Sequence, residues 1–205
     1  MARYTGPKVK LSRRLGVNLF ENEKGRRALE RRPYPPGEHG RTRRRTNNSE
    51  YLIQLQEKQK AKYIYGVLEK QFRNLYEHAN RQQGVTGENL LRLLELRLDN
   101  VVYRAGWAST RPQARQFVNH GLIRVNGRRV DIPSSRVRKG DVVSLSDKAK
   151  AMIVIRHNLD TLGRLVPQWL EAGDGGASVT VRELPVRSQI DVPVREQLIV
   201  ELYSK

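Results

Sequence analysis

From position 49 onward, apolar residues recur at helical spacing. Ser49 is placed to N-cap a helix that carries Tyr51, Leu52 and Leu55 and reaches Tyr65, where Gly66 breaks it. A second helix is predicted with Val67, Leu68, Phe72, Leu75 and Tyr76 on its apolar side, ending by Gly84. Thr86 is placed to cap a third, with Leu90, Leu91, Leu93, Leu94, Leu96 and Leu98. Those leucines cover more than one face, so that helix belongs at the centre of a core. Lys58, Lys60 and Lys62 stand two residues apart, cannot all share a face, and are expected mostly in solvent.

The pattern from 97 to 146 has its own logic. Arg97 to Ala105 is apolar-periodic and stops at Gly106. Ser109 or Thr110 caps the next helix, with Pro112 in its first turn, where a missing N–H costs nothing. Ala114, Phe117 and Val118 form its apolar side, and Gly121 ends it. Ile123 to Val125 and Arg128 to Val130 flank Asn126-Gly127, a strong hairpin signal because both positions tolerate φ > 0. Asp141 to Leu145 is a further strand. Residues 147–163 read as one helix capped by Asp147. Pro167 to Arg182 reads as strands or loop around Gly173-Asp174-Gly175-Gly176, and Pro193 opens a terminal helix, or a strand, bearing Leu198, Ile199 and Leu202.

Residues 1–48 lack this order. Gly6-Pro7, Gly16, Gly25, Pro33, Pro35-Pro36-Gly37 and Gly40 leave room only for short turns, with one or two helical turns over Arg26 to Arg32. Tyr4, Leu11, Leu15, Leu19, Phe20 and Tyr34 supply anchors that a solvated tail lacks. The stretch therefore reads as an arm ordered against RNA or the protein body. The expected fold class is α+β: an extended basic arm over 1–48, a helical domain over 49–96 joined by the segment 164–205, and a module of two helices and a small antiparallel sheet over 97–163.

Charge changes the picture next. Thirty-nine Lys and Arg oppose 21 Asp and Glu across 205 residues, a net charge of +18. Residues 1–50 carry +9 and residues 101–150 carry +8, while the other two stretches are close to balance. Such a charge calls for a polyanion, and two separated blocks call for two contact surfaces. No apolar run approaches the roughly 20 residues of a membrane span, and the start of the chain lacks a signal-like stretch. There is no cysteine, hence no disulfide, thiolate or cysteine zinc site; a cytoplasmic protein fits best. His39, His78, His120 and His157 lie far apart, so no metal is expected. Glu38 and His39 in Gly37-Glu38-His39-Gly40 have no nucleophile beside them and read as a turn. Phosphate-loop, dinucleotide and serine-hydrolase motifs are missing, so no cofactor and no catalytic residue is assigned.

RNA is the expected partner, contacted through two sets of residues. In the module, Arg111 and Arg115 share a helix face at i, i+4, the hairpin adds Arg124, Arg128 and Arg129, and the helix start at Ser109 to Pro112 offers N–H groups to a phosphate. In the arm, Arg3, Lys8, Lys10, Arg13 and Arg14 precede the run Arg41, Arg43, Arg44 and Arg45. Arg73, Arg104, Asn119, His120 and Asn126 complete the candidate set. Arginine suits the task because its planar fork bridges phosphates.

Several long motifs carry a resemblance. RLDNVVYRAG at 97–106, TRPQARQFVNHG at 110–121 and IRVNGRRV at 123–130 resemble the S-four RNA-binding module. MARYTGPKVKLSRR at 1–14, PPGEHG at 35–40, EKQKAKYIYGVLEKQFRN at 57–74, TGENLLRLLELRLDNVVYR at 86–104 and QLIVELYSK at 197–205 resemble the bacterial ribosomal protein S-four family. The match spans nearly the whole chain and is weakest over 164–190. It implies a structural protein that binds the five-prime domain of small-subunit ribosomal RNA early in assembly. It also implies contact with ribosomal proteins S-five and S-three and a place where messenger RNA enters, with a part in translational accuracy. Some members hold zinc with N-terminal cysteines; this chain lacks them, so packing and RNA must hold residues 21–34. Two other readings use the same module: an RNA-modifying enzyme, which needs a placed carboxylate in a separate domain, and a stand-alone stress factor, which needs neither arm nor helical domain.

Overall fold

The computed structural model describes residues 4–42 and 49–204. The chain divides into two compact units, one of residues 1–74 with 193–205 and the other of residues 75–192.

The first unit is helical. Helix α1 (Lys8–Leu15) and α2 (Glu23–Arg31) precede a single 3₁₀ turn at Glu38–Gly40. Only turns were expected here, and α1 in particular corrects that reading. Pro7 and Gly16 stand at the two ends of α1, not inside it, and punctuate the helix instead of breaking it. Asn22 caps α2 by accepting from the Gly25 N–H at 2.8 Å. Leu11 and Leu19 are buried, and Tyr4 meets Tyr63 edge-on at 5.4 Å, so part of the arm docks on protein.

Helix α3 (Glu50–Tyr65) is capped by Ser49 as the pattern predicts, with Ser49 Oγ accepting from Leu52 N–H at 3.3 Å. Helix α4 (Glu69–Asn80) follows Gly66. The last helix, α10 (Glu196–Ser204), packs on α3, which settles the helix-or-strand alternative at the C-terminus. Buried Glu57 accepts from the Arg195 N–H at 3.0 Å, and Gln54 donates to Glu201 at 3.0 Å. The lysines of α3 are not left to solvent. Lys58 and Lys62, one helical turn apart, both reach Glu69 (2.6 and 3.1 Å), and Lys60 reaches Glu57 at 2.6 Å. Tyr203 donates its hydroxyl to Glu69 at 3.0 Å and stacks on Phe72.

The second unit holds the sheet. Helix α5 (Thr86–Glu95) leads into α6 (Leu98–Arg104) and α7 (Arg111–Asn119). Val85, not Thr86, is the N-cap of α5; the Thr86 hydroxyl bonds the Asn80 side chain at 3.3 Å. Strands β1 (Ile123–Val125), β2 (Arg128–Arg129), β3 (Val142–Leu145), β4 (Leu170–Ala172) and β5 (Ser178–Val181) form one antiparallel sheet in the order β2-β1-β3-β5-β4. The β1–β2 turn holds Asn126 and Gly127 at φ 50° and 77°, the conformation the Asn-Gly pair favours.

Two expectations are corrected here. The helix expected over 147–163 is two, α8 (Asp147–Lys150) and α9 (Ile153–Leu162), and Ser146 is the cap. The segment 164–192 does not join the helical unit. Its hairpin β4–β5 pairs with β3, Val143 opposite Val179, and its residues Trp169, Leu170, Val179 and Val181 are buried with Val101, Val118 and Ile123. Weak patterning over 164–190 hid this extension of the sheet. Trp107 is fully buried; its Nε1–H donates to the Gly176 carbonyl at 2.7 Å, and Asn158 of α9 donates to the Trp107 carbonyl at 2.9 Å. No described helix is long and apolar enough to cross a membrane.

Candidate nucleic-acid interface

The arginines of α6 and α7 face inward. Arg111 and Arg115 do share a helix side, as their spacing requires, but that side meets α6. Arg111 donates its Nε–H to Asn100 at 3.0 Å and lies 4.3 Å from the Tyr103 ring; Arg164 covers the same ring at 3.8 Å. Arg115 reaches Asp99 at 3.3 Å. Asp99 in turn takes a two-pronged bond from buried Arg97 (3.0 and 2.7 Å). Arg104 forks onto Glu95 at 3.0 and 2.8 Å, and Asn100 donates to Glu95 at 2.7 Å. Glu95 and Asp99 therefore knit the end of α5 to α6 and α7. A planar guanidinium suits such two-pronged bonding to a carboxylate.

The α7 start is also capped from within. Thr110 Oγ1 accepts from the Gln113 N–H, and the Gln113 side chain takes bonds from both the N–H and the hydroxyl of Ser109 at 2.7 Å. That reciprocal cap occupies groups that the sequence reading offered to a phosphate.

The outward-facing cations are on the hairpin. Arg124 on β1 stands directly opposite Arg129 on β2, and Arg128 stands opposite Val125. All three arginines are exposed. Directly opposed residues share a sheet face, and like charges there are destabilising until an anion lies between them. Beside this pair is a shallow cleft of about 310 Å³ lined by His120, Gly121, Arg124, Arg129, Asp147 and Lys148, among others. Gly121 has φ +67°, and the Arg129 guanidinium lies so close over it that a methyl group would collide. The glycine thus ends α7 and seats Arg129. Asp147 is 3.9 Å from Arg124 with 86% of its side chain exposed, so water screens the pair strongly.

The remaining candidates have mixed settings. Asn126 is a turn residue: it bonds Asp141 at 2.8 Å and accepts from the Val142 N–H at 2.9 Å. Asn119 is half-buried, and His120 and Arg73 are exposed. In the first unit, Lys10, Arg14 and Arg41 are exposed. Lys8 lies 5.4 Å from the Phe20 ring. Arg13 donates to the carbonyls of Tyr34 and Pro35 (3.1 and 3.4 Å) and covers the Tyr34 ring at 5.0 Å. Arg3, Arg43, Arg44 and Arg45 lie outside the described residues. The sequence reading passed over Arg92, Arg136, Arg138 and Lys139, which line a second cleft in the unit of 75–192. The run Arg136-Val137-Arg138-Lys139 was the available signal. Among the described residues, no group of His, Asp and Glu is arranged to hold a metal.

A helix pair braced by buried ion pairs, with a basic hairpin beside it, defines a basic nucleic-acid-binding class of protein. Sequence comparison gives the family. A model described as the ribosomal protein S4/S9 N-terminal domain matches residues 3–95, and one described as the S4 domain matches 96–143. The chain is 59% identical to the small ribosomal subunit protein uS4 of Nocardioides sp. (strain ATCC BAA-499 / JS614), 58% to that of Nocardia farcinica and 56% to that of Mycolicibacterium smegmatis, in each case over the full length of both chains. The chain belongs to the small ribosomal subunit protein uS4 family, whose members are structural proteins and not enzymes.

Proposed function

We propose that the protein is a primary binder of the five-prime domain of small-subunit ribosomal RNA and nucleates its assembly in the cytoplasm. The observation that carries this reading is the exposed Arg124–Arg129 pair, two like charges held side by side on one sheet face. Arg124, Arg128, Arg129, His120 and Asn119 form the module's contact set; Lys8, Lys10, Arg14, Arg41 and Arg73 form that of the other unit. Arg104, Arg111, Arg115, Arg13 and Asn126 act mainly by positioning, since each is bonded to protein. Folded RNA presents phosphates and 2′-hydroxyls to such cations more readily than base edges in its deep groove.

The family resemblance supports a place beside ribosomal proteins S-five and S-three where messenger RNA enters, and a part in translational accuracy. Arg43, Arg44 and Arg45 are assigned to the messenger path, with Arg3 at the ribosomal RNA. The test is filter binding of a five-prime-domain transcript across a salt series, with Arg124, Arg128 and Arg129 changed together to alanine. The slope of log affinity against log salt should fall by about 2 to 3, at roughly 0.9 per phosphate lost. An unchanged slope defeats the assignment.

A further inference from the structure

We propose that the second cleft of the 75–192 unit takes a single unstacked nucleotide of RNA. The inference rests on the reading of the protein as an RNA binder and gives one of its surfaces a specific ligand. The cleft measures about 820 Å³, within the range of small-ligand sites. A duplex, whose bases are stacked inside it, has no part that fits such a concavity; an extruded nucleotide does.

Its chemistry is graded. Arg136, Arg138 and Lys139 are exposed on one wall, and none has an ion-pair partner among the described residues. They belong to a pinned loop: Val137 is buried, its N–H donates to the Leu96 carbonyl at 3.0 Å, and the Ser135 and Pro133 carbonyls accept from Leu98 and Asp99. Their main chain is therefore placed before any ligand arrives, which lowers the entropic cost of binding. Cations of this kind fit the phosphate.

The opposite wall suits a base. Arg92 is held in plane, donating Nε–H to the Pro185 carbonyl at 3.2 Å and Nη1–H to Asn89 at 3.1 Å. A fixed guanidinium plane is a stacking surface for a base. Leu184 lines the cleft with 43% of its surface exposed, an apolar residue among cations. Gln82 and Gln83 add exposed amides that can both donate to and accept from a base edge. A pure phosphate patch has no use for the leucine or the amides, whereas a nucleotide uses all three groups.

The test is a titration of the full-length ¹⁵N-labelled protein with single-stranded hexauridylate and, separately, with a blunt RNA duplex of equal phosphate number. Hexauridylate should shift the side-chain amide signals of Gln82 and Gln83, and the duplex should not. Arg136→Ala/Arg138→Ala/Lys139→Ala and, independently, Leu184→Asp should each weaken that response about tenfold or more, the scale of one lost base contact. All four positions are exposed, and tryptophan fluorescence verifies folding. Equal shifts with the duplex, or none with either RNA, overturn the nucleotide site. The five-prime-domain transcript is measured on the same variants and on the hairpin variant. Loss confined to the amide response leaves the wider RNA reading standing, and failure of the wild type to bind the transcript removes both.

Discussion

Asparagine at position 99 would remove one negative charge from a place where two arginines converge. Arg97 is 3% exposed and grips Asp99 with two bonds, and Arg115 adds a third. The amide can replace one acceptor, but it leaves the Arg97 charge uncompensated in a dry setting. Breaking a buried pair by neutralising one partner costs about 3 to 5 kcal/mol; the retained acceptor puts Asp99→Asn near about 3 kcal/mol. Both tryptophans, Trp107 and Trp169, are buried within the 75–192 unit, so urea unfolding followed by tryptophan fluorescence reports on that unit. With a slope of about 1.5 kcal/mol per molar urea, the midpoint should fall by about 2 M. The double variant Arg97→Met/Asp99→Leu should recover to within about 1 kcal/mol of wild type, because an apolar pair pays no desolvation penalty. A midpoint shift below about 0.5 M for Asp99→Asn would show that water reaches the pair and would refute the bracing argument.

Three further outcomes are expected. Burial works against ionisation of Glu69, but bonds from Lys58, Lys62 and Tyr203 outweigh it and hold its carboxyl below the usual 4.5. Stability from this group is complete above pH 4.5 and is lost as pH falls through the lowered value, so Glu69→Gln should flatten acid unfolding of the helical unit between neutral pH and about 3; an identical acid profile would count against it. Gly121→Ala should cost about 1 to 2 kcal/mol from its positive φ and displace Arg129, weakening transcript binding as well; full stability and affinity together would exclude both roles. Arg129→Thr should raise the stability of the free protein by up to about 1 kcal/mol while lowering RNA affinity, since it ends the like-charge pairing with Arg124; a drop in stability would mean the pair is not repulsive.

Long periodic stretches were legible because one physical signal dominates them. The α3 cap at Ser49, the α7 cap at Thr110 and the Asn126-Gly127 hairpin each rest on local chemistry, and the structure has all three. Helix α1 was not legible because its eight residues carry only one fully buried apolar side chain, Leu11, and its order depends on contacts with residues distant in sequence. The β4–β5 hairpin was missed for a related reason. Leu170 and Val181 gain meaning only once β3 offers an edge to β5. At the candidate site, spacing correctly put Arg111 and Arg115 on one face but could not say which way that face pointed. Direction depends on Glu95, Asp99 and Tyr103, and no local pattern links those acids and that ring to α7.

The positive charge of this chain is therefore sorted into two kinds of work. Inward arginines need carboxylates, and Glu95 and Asp99 supply them within hydrogen-bond reach of Arg104, Arg97 and Arg115. Those pairs fix α6 and α7, and α7 ends at the glycine on which Arg129 rests. The outward arginines of the hairpin are aimed by the same frame but face each other across two strands. Their repulsion is small, a few tenths to about 1 kcal/mol, so the hydrophobic core around Trp107 and Ile123 tolerates it easily. A phosphate placed between them converts that cost into two charge-assisted bonds, each worth more than the repulsion it relieves. The hairpin is thus slightly unfavourable in the free protein and favourable on a polyanion, and its preference for RNA is set by backbone register as much as by net charge.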